Sequence, residues 1–172
     1  AFIAPLHVLE VVLRNATIDA IESVHGLNWA FNNGFIRSLP EPSNGYKPRS
    51  DLINTSRRQP TTGKVVADLK FIFWEKMFTV RHDSRLWDNH LKRVLPFAPS
   101  TLSVQSIRSQ VNSDIRDIRQ LRNRIAHHEP IFTRQLSDDY TKILKLIEWR
   151  DDTASLWLDS IQNVTSLLPE KP

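Results

Sequence analysis

The chain has 172 residues, a formal net charge of +4, no cysteine and only 4 glycines. The lack of cysteine excludes disulfides, thiol catalysis and Cys-ligated zinc, and the few glycines disfavour a Gly-rich phosphate loop or a hairpin-rich β fold. The basic excess is compatible with nucleic acid but is too small to identify it. The absence of cysteine fits a reducing cytoplasm, where we expect the protein to lie. No apolar run approaches the roughly 20 residues of a membrane span, so we expect no membrane contact.

Apolar residues at helical spacing predict several helices in the first half of the chain. Residues 5–25 form the first, which ends where Gly26 offers a stop signal. Residues 26–49 are rich in Asn, Pro, Gly and Ser and predict a loop with at most a short helix. Three further helices are predicted at residues 50–58, Gly63–Val80 and Ser84–Val94.

The second half begins with the longest predicted helix, about Thr101–His128, which Pro130 closes. Two further helices follow, each with one tryptophan as a core anchor: Ser137–Arg150 with Trp149, and Ala154–Leu168 with Trp157. We therefore predict an all-α fold, a single helical bundle of about five to seven helices over residues 1–172. Because the chain opens without Met and directly on apolar residues, we expect that a native N-terminal segment is missing.

The end of the long helix carries the most chemically suggestive residues, in the run LRNRIAHHEP. On a helical wheel Asn123, His127, Arg116 and Arg119 share one polar, basic face. Arg122 lies instead at the edge of the apolar stripe. An arginine near a core is costly without an anionic partner, so we expect an acid from another helix to pair with it.

These side chains suffice for metal-free cleavage of RNA. His127 can move a proton near neutral pH, Arg122 can hold a phosphate, and Asn123 can orient either group. The attacking group would be the ribose 2′-hydroxyl, which DNA lacks. One histidine is a weak acid/base system, so two chains meeting at this surface would supply a pair. R-x4-H spacing alone is common in helices, and a histidine at a helix end also interacts with the dipole without any catalytic role.

Two groups of residues are expected to assist. Glu10 on the first helix is the candidate partner of Arg122, with Arg14 and Asn15 bordering the cleft; the structural alternative is a surface Glu10–Arg14 ion pair. We favour a second group as phosphate contacts in RNA binding, namely Arg108, Arg116 and Arg119.

No metal or other cofactor is expected. His127 and His128 are adjacent, so their side chains diverge by about 100° on a helix, and no H-E-x-x-H pattern occurs. The other histidines are scattered and are interpreted as surface or structural residues: His7, His25, His82 and His90.

The segment LRNRIAHHEPIF resembles the signature of the Abi-like (abortive infection) proteins of the HEPN superfamily, whose ribonucleases share an R-x4-6-H motif. Arg122, Asn123 and His127 match as R-N-x3-H, and His128 also satisfies the spacing. LHVLEVVLRNATIDAI resembles the family's first core helix, and TTGKVVADLKFIFWEKMF resembles its T-x-G-x-V-V-A-x-L-x-F-x-F-W segment. Together these stretches extend from about residue 5 to 150 in the family's order.

The resemblance implies a helical bundle that forms a homodimer, with both R-x4-H motifs facing one cleft. It implies metal-independent endoribonuclease action as a toxin or in phage defence, with an antitoxin of protein or RNA. The family's segment before the first helix is not present in this sequence. Two alternatives stay open, a non-catalytic HEPN-type module that binds RNA or nucleotide or regulates a partner, and a purely structural dimerisation domain.

Overall fold

The computed structural model describes residues 1–170, and that part of the chain is helical without any strand, which confirms the all-α class. None of its helices is long and apolar enough to cross a bilayer. The ten α-helices are α1 Ile3–His25, α2 Asn33–Ser38, α3 Pro48–Arg58, α4 Thr62–Asp68, α5 Phe71–Met77, α6 Asp88–Val94, α7 Val104–Ala126, α8 Leu136–Arg150, α9 Asp152–Ile161 and α10 Val164–Leu167. Short 3₁₀ or π turns cover Trp29–Phe31, Val80–His82, Asp83–Trp87 and Leu168–Glu170.

The two long helices begin and end close to their predicted bounds, because local capping groups define them. After α1, Gly26 adopts φ 75° and its N–H donates to the carbonyl of Glu22 at 2.9 Å, as a glycine helix stop does. Before α7, the Ser103 hydroxyl accepts a hydrogen bond from the Ser106 amide at 3.1 Å, which satisfies a free N–H at the helix start.

The prediction of one helix over Gly63–Val80 is wrong, because Leu69 and Lys70 are extended and divide it into α4 and α5. The segment after the break is apolar around most of its circumference, and a single straight helix exposes one face of such a segment. The break re-aims α5, so that five of its seven residues are buried: Phe71, Phe73, Trp74, Glu75 and Met77.

The prediction of one helix over Ala154–Leu168 is also wrong. Gln162 is extended, and its side-chain oxygen accepts hydrogen bonds from the amides of Val164 and Thr165 at 2.6 and 3.1 Å. It therefore starts a new helix. Trp149 is buried as predicted, whereas Trp157 is 53% exposed and is not a core anchor. These breaks, with the short α2, explain why the predicted count of five to seven helices was too low.

The buried apolar residues form one continuous cluster. In it α1 packs mainly on α8, while α7 contacts α5, α6 and α8. The buried stripe of α7 repeats at helical spacing: Ile107, Val111, Ile115, Ile118 and Leu121. The fully buried part of this stripe ends at Leu121, because Ile125 is only partly buried and residues 126–130 are exposed. The last turn of α7 therefore lies at the margin of the core.

A buried ion pair ties α5 to α7. The carboxylate of Glu75 is 2% exposed and pairs with the guanidinium of Arg119, while Lys76 lies 2.9 Å from its other oxygen. Asn112 of α7 donates to the Glu75 carbonyl at 3.3 Å. A buried carboxylate needs such partners, because burial removes its hydration and only an ion pair or hydrogen bonds can compensate for that loss.

We expect Arg119→Met to lower the free energy of unfolding by about 3 kcal/mol, since it leaves the Glu75 carboxylate buried with only Lys76 beside it. The double variant Glu75→Met/Arg119→Met should recover most of that loss. Urea denaturation of wild type, both single variants and the double variant measures the coupling. Losses that simply add in the double variant would contradict a structural role for this pair.

Candidate functional site

A cavity of about 370 Å³ lies between the first turns of α1 and the last turns of α7. α1 contributes a row of residues on one helical face, and α7 contributes the end of the LRNRIAHH run. Its lining residues are Ile3, Leu6, His7, Glu10, Arg122, Ile125, Ala126 and His128. Three residues of the predicted site, Glu10, Arg122 and His128, therefore share one concave surface.

The end of α7 has a regular hydrogen-bonded stop. The amide of His128 donates to the Ile125 carbonyl at 3.2 Å, and the amide of Glu129 donates to the Arg124 carbonyl at 2.8 Å. This pair of bonds is the Schellman arrangement, in which the residue at the position of His128 is left-handed. The side chains of Arg124 and Glu129 also form an ion pair of 3.5 Å across the turn.

His128 adopts the left-handed conformation, with φ 57°, and is the only non-glycine residue with positive φ within the described residues. Glycine is the usual residue there, because a Cβ raises the energy of this conformation by about 1 kcal/mol. Residues with such backbone strain cluster at functional sites, and His128 lies at the wall of a cavity. The sequence feature that indicates a turn at His128 is Pro130, because a proline limits how far the preceding helix can extend.

The structure corrects the expectation that Arg122 needs an acidic partner at the core's edge. Arg122 is exposed, at the margin of the core where Leu121 is the last fully buried residue of α7. Its guanidinium keeps its hydration, so the burial cost that predicted a partner does not arise. Glu10 lines the same cavity, but neither residue forms an ion pair with any other described residue. Arg122 is therefore available to an anionic ligand.

The two adjacent histidines lie in different places. His127 caps α7, with its amide bonded to the Asn123 carbonyl at 2.9 Å, and it is exposed outside the set of residues that line the cavity. His128 shares the cavity with Arg122. Asn123 is partly buried on the polar side of α7 and is likewise not in the lining. The geometry thus favours His128 over His127 as the imidazole that acts with Arg122.

Two of the three arginines expected to contact phosphate are engaged within the fold. Arg119 pairs with Glu75 as described above, and Arg108 makes two hydrogen bonds to the Asp83 carboxylate at 2.9 and 3.3 Å. Their charges are compensated, so they attract a phosphate weakly. Arg116 is exposed and has no ion pair within residues 1–170. It is the one of the three whose charge is not compensated by a described residue.

The remaining helix-1 candidates lie beyond the cavity lining. Arg14 is partly buried, with its Nε lacking a hydrogen-bond partner among the described residues, and Asn15 is exposed. The Glu10–Arg14 ion pair does not form. His7, which sequence reasoning classed with the scattered histidines, lines the cavity. The sequence spacing could have predicted this, since His7 and Glu10 are three residues apart and therefore share one face of α1.

An apolar groove of about 500 Å³ adjoins the cavity, and Ile3 and Ile125 line both. Ile3 is 72% exposed and Phe132 is 50% exposed. The other lining residues are Ala1, Phe2, Ile131, Leu136, Val164, Leu167 and Leu168. Large apolar side chains exposed beside a polar cavity are typical of a surface that another molecule covers.

No group of three or more His, Asp or Glu side chains in the described part of the chain is arranged to hold a metal ion. The cavity itself contains Glu10, His7 and His128 without bringing them into such a group. Its polar chemistry is therefore that of two imidazoles, one carboxylate and one guanidinium. Such a set can transfer protons and bind a phosphate.

We expect His128→Gly to raise the free energy of unfolding by about 0.5–1 kcal/mol, because glycine adopts positive φ without the steric cost of a Cβ. His127→Gly is the matched control. His127 has φ −96°, where glycine brings no such relief, so this change should be neutral or destabilising. Urea denaturation of both variants checks the pair, and destabilisation by His128→Gly would contradict the assigned strain.

Comparison with known protein families, characterised proteins and solved structures finds no match to this chain. The resemblance of LRNRIAHHEPIF to the Abi-like signature therefore stays a prediction. What the chain does has to be argued from the cavity between α1 and α7.

Proposed function

We propose that the protein is a metal-independent endoribonuclease of the Abi-like, HEPN type, with Arg122 and His128 at its centre. The observation that carries the proposal is their common cavity, at which His128 lies in the turn after α7 with a positive φ. Both side chains are exposed, and Arg122 has no ion pair with another described residue. A cation and a proton-transfer group that converge without internal partners are suited to an incoming phosphodiester.

The proposed reaction needs three tasks from the protein. An imidazole removes the proton from the ribose 2′-hydroxyl, whose oxygen attacks the adjacent phosphorus. Arg122 binds the non-bridging oxygens and stabilises their charge as it develops. A second acid protonates the departing 5′-oxygen, which leaves a 2′,3′-cyclic phosphate and a 5′-hydroxyl. Every proton and bond is accounted for by side chains and the RNA itself.

Two sources can provide the second imidazole. His7 lies in the same cavity as His128, so one chain already contains a pair. A partner chain is the other source, and the exposed apolar groove beside the cavity supports a dimer at this surface. We propose the homodimer, with the groove residues Ile3, Phe132 and Leu167 in the contact and both motifs facing one cleft.

In the cell, such an activity would act as a toxin or in phage defence and would be held in check by a protein or RNA antitoxin. This role rests on the resemblance of the LRNRIAHHEPIF segment and is proposed on that basis. If RNA is bound but never cleaved, the alternative of a non-catalytic HEPN-type module replaces the nuclease.

Cleavage of single-stranded RNA in EDTA should fall by about 100-fold or more in Arg122→Ala and in His128→Ala, the usual range for loss of an acid/base or oxyanion group. His127→Ala should keep most of the activity. Arg57→Ala and His90→Ala are matched controls on other helices. Wild type should leave 2′-O-methyl RNA uncut, because that RNA lacks the attacking 2′-hydroxyl, and gel analysis measures both effects. A requirement for metal, or cutting of the methylated RNA, would overturn the mechanism.

Mixing wild type with His128→Ala tests the dimeric site. After equilibration of equal amounts, cleavage per chain should fall to about one quarter, because only about a quarter of the dimers contain two wild-type chains. Independent sites would retain about half. A value of half, together with loss of activity in His7→Ala, would assign the second imidazole to His7 and refute the shared cleft.

A further inference from the structure

A second polar cavity, of about 430 Å³, lies on a different part of the surface. It is formed by α2 and by the turns that precede α6. Its lining residues are Gly34, Arg37, Ser38, Arg81, His82 and Arg85. Three of the six are arginines, and no carboxylate lines it. This cavity has no part in the proposed cleavage reaction.

The second cavity is remote from the first. His7 lines the first cavity near the start of α1, and His25 ends the same helix beside Phe35 of α2, with ring centroids 5.1 Å apart. An α-helix rises about 1.5 Å per residue, so these two histidines lie roughly 27 Å from one another. The second cavity is therefore a separate binding surface from the Arg122 cleft.

Three arginines line the cavity, and no acid lines it with them. The Nε of Arg81 donates to the Ser38 carbonyl at 3.2 Å, which draws it across the cavity. The backbone carbonyl of Arg37 accepts a hydrogen bond of 2.9 Å from Arg49. The nearest acid in sequence, Asp83, is already engaged by Arg108. Like charges gathered in this way repel one another unless an anion lies between them.

A buried imidazole forms part of the cavity wall. His82 is 3% exposed and lines the cavity, and its Nε2 has no hydrogen-bond partner among the described residues. Burial and the charges of Arg81 and Arg85 lower the pKa of His82 to about 4, against a smaller opposing effect of Asp83. The ring is therefore neutral at pH 7, and the charge of the cavity comes from its arginines.

Arg85 also acts on a second histidine. The pKa of His25 is lowered by its burial and by the charge of Arg85. The positive potential of this cluster thus extends from the turn before α6 to the end of α1. No charge of opposite sign within the lining offsets it.

We propose that this cavity binds a phosphomonoester, with Arg37, Arg81 and Arg85 on its oxygens and the His82 ring in the cavity wall. Such a group carries about −1.5 to −2 charges at neutral pH and three acceptor oxygens, which matches three guanidiniums better than the single charge of a phosphodiester does. Free nucleotides and 5′-phosphorylated RNA ends share this chemistry.

The test is titration of the full chain with inorganic phosphate, followed by NMR of the His82 ring and by calorimetry. We expect saturable shifts of the His82 signals and an affinity loss of about tenfold or more in Arg85→Gln, the usual effect of losing a hydrogen bond between charged groups. Arg57→Gln, an exposed arginine at the end of α3, should stay within twofold of wild type. Both variants alter exposed side chains, and circular dichroism checks their folding.

Two further probes distinguish the source of the phosphate. 5′-AMP is compared with adenosine, and a 2′-O-methyl RNA oligomer with a 5′-phosphate is compared with the same oligomer ending in a 5′-hydroxyl. Preference for the phosphorylated form in either pair supports the site and names its ligand. Absence of a saturable His82 shift, or an equal loss in Arg57→Gln, overturns the proposal. Neither outcome depends on RNA cleavage, so the endoribonuclease proposal is tested separately.

Discussion

The buried apolar stripe of α7 is the constraint from which the candidate site follows. Burying side chains from Ile107 to Leu121 holds α7 against α5, α6 and α8, and burial of apolar area is the largest favourable term in such packing. The fully buried stripe ends at Leu121, and the last turn of α7 lies at the margin of the core, where Ile125 is partly buried. Arg122 is therefore held on the helix, and His127 and His128 follow directly after it, yet all three are exposed.

The arginines of α7 fall into two groups, those that pair with an acid inside the fold and those that do not. Arg108 and Arg119 lie on the same helix as Arg116 and Arg122, but their charges are used inside the fold, on Asp83 and Glu75. A net charge of +4 therefore says little about where an anion binds. The arginines without an ion pair to a described residue are more informative, because an uncompensated guanidinium retains its attraction for phosphate.

The one non-glycine residue with positive φ among the described residues, His128, lies at the candidate site. A glycine at position 128 would end α7 at lower energy, yet a histidine occupies the left-handed position and lines the cavity with Arg122. Stability and the proposed activity therefore make opposite demands on this residue. The same conflict does not exist at His127, which has ordinary helical-end geometry.

The sequence alone determined the all-α class and the ends of α1 and α7, because periodicity, Gly26 and Pro130 are local signals. It also predicted a candidate site in LRNRIAHHEP. Only the tertiary structure decided that the helix predicted over Gly63–Val80 breaks at Leu69, since that break depends on where the core lies. It likewise decided that Arg122 is exposed and that His7 and His128 share its cavity. Those facts depend on how α1 and α7 each pack against α5, α6 and α8, which local spacing does not encode.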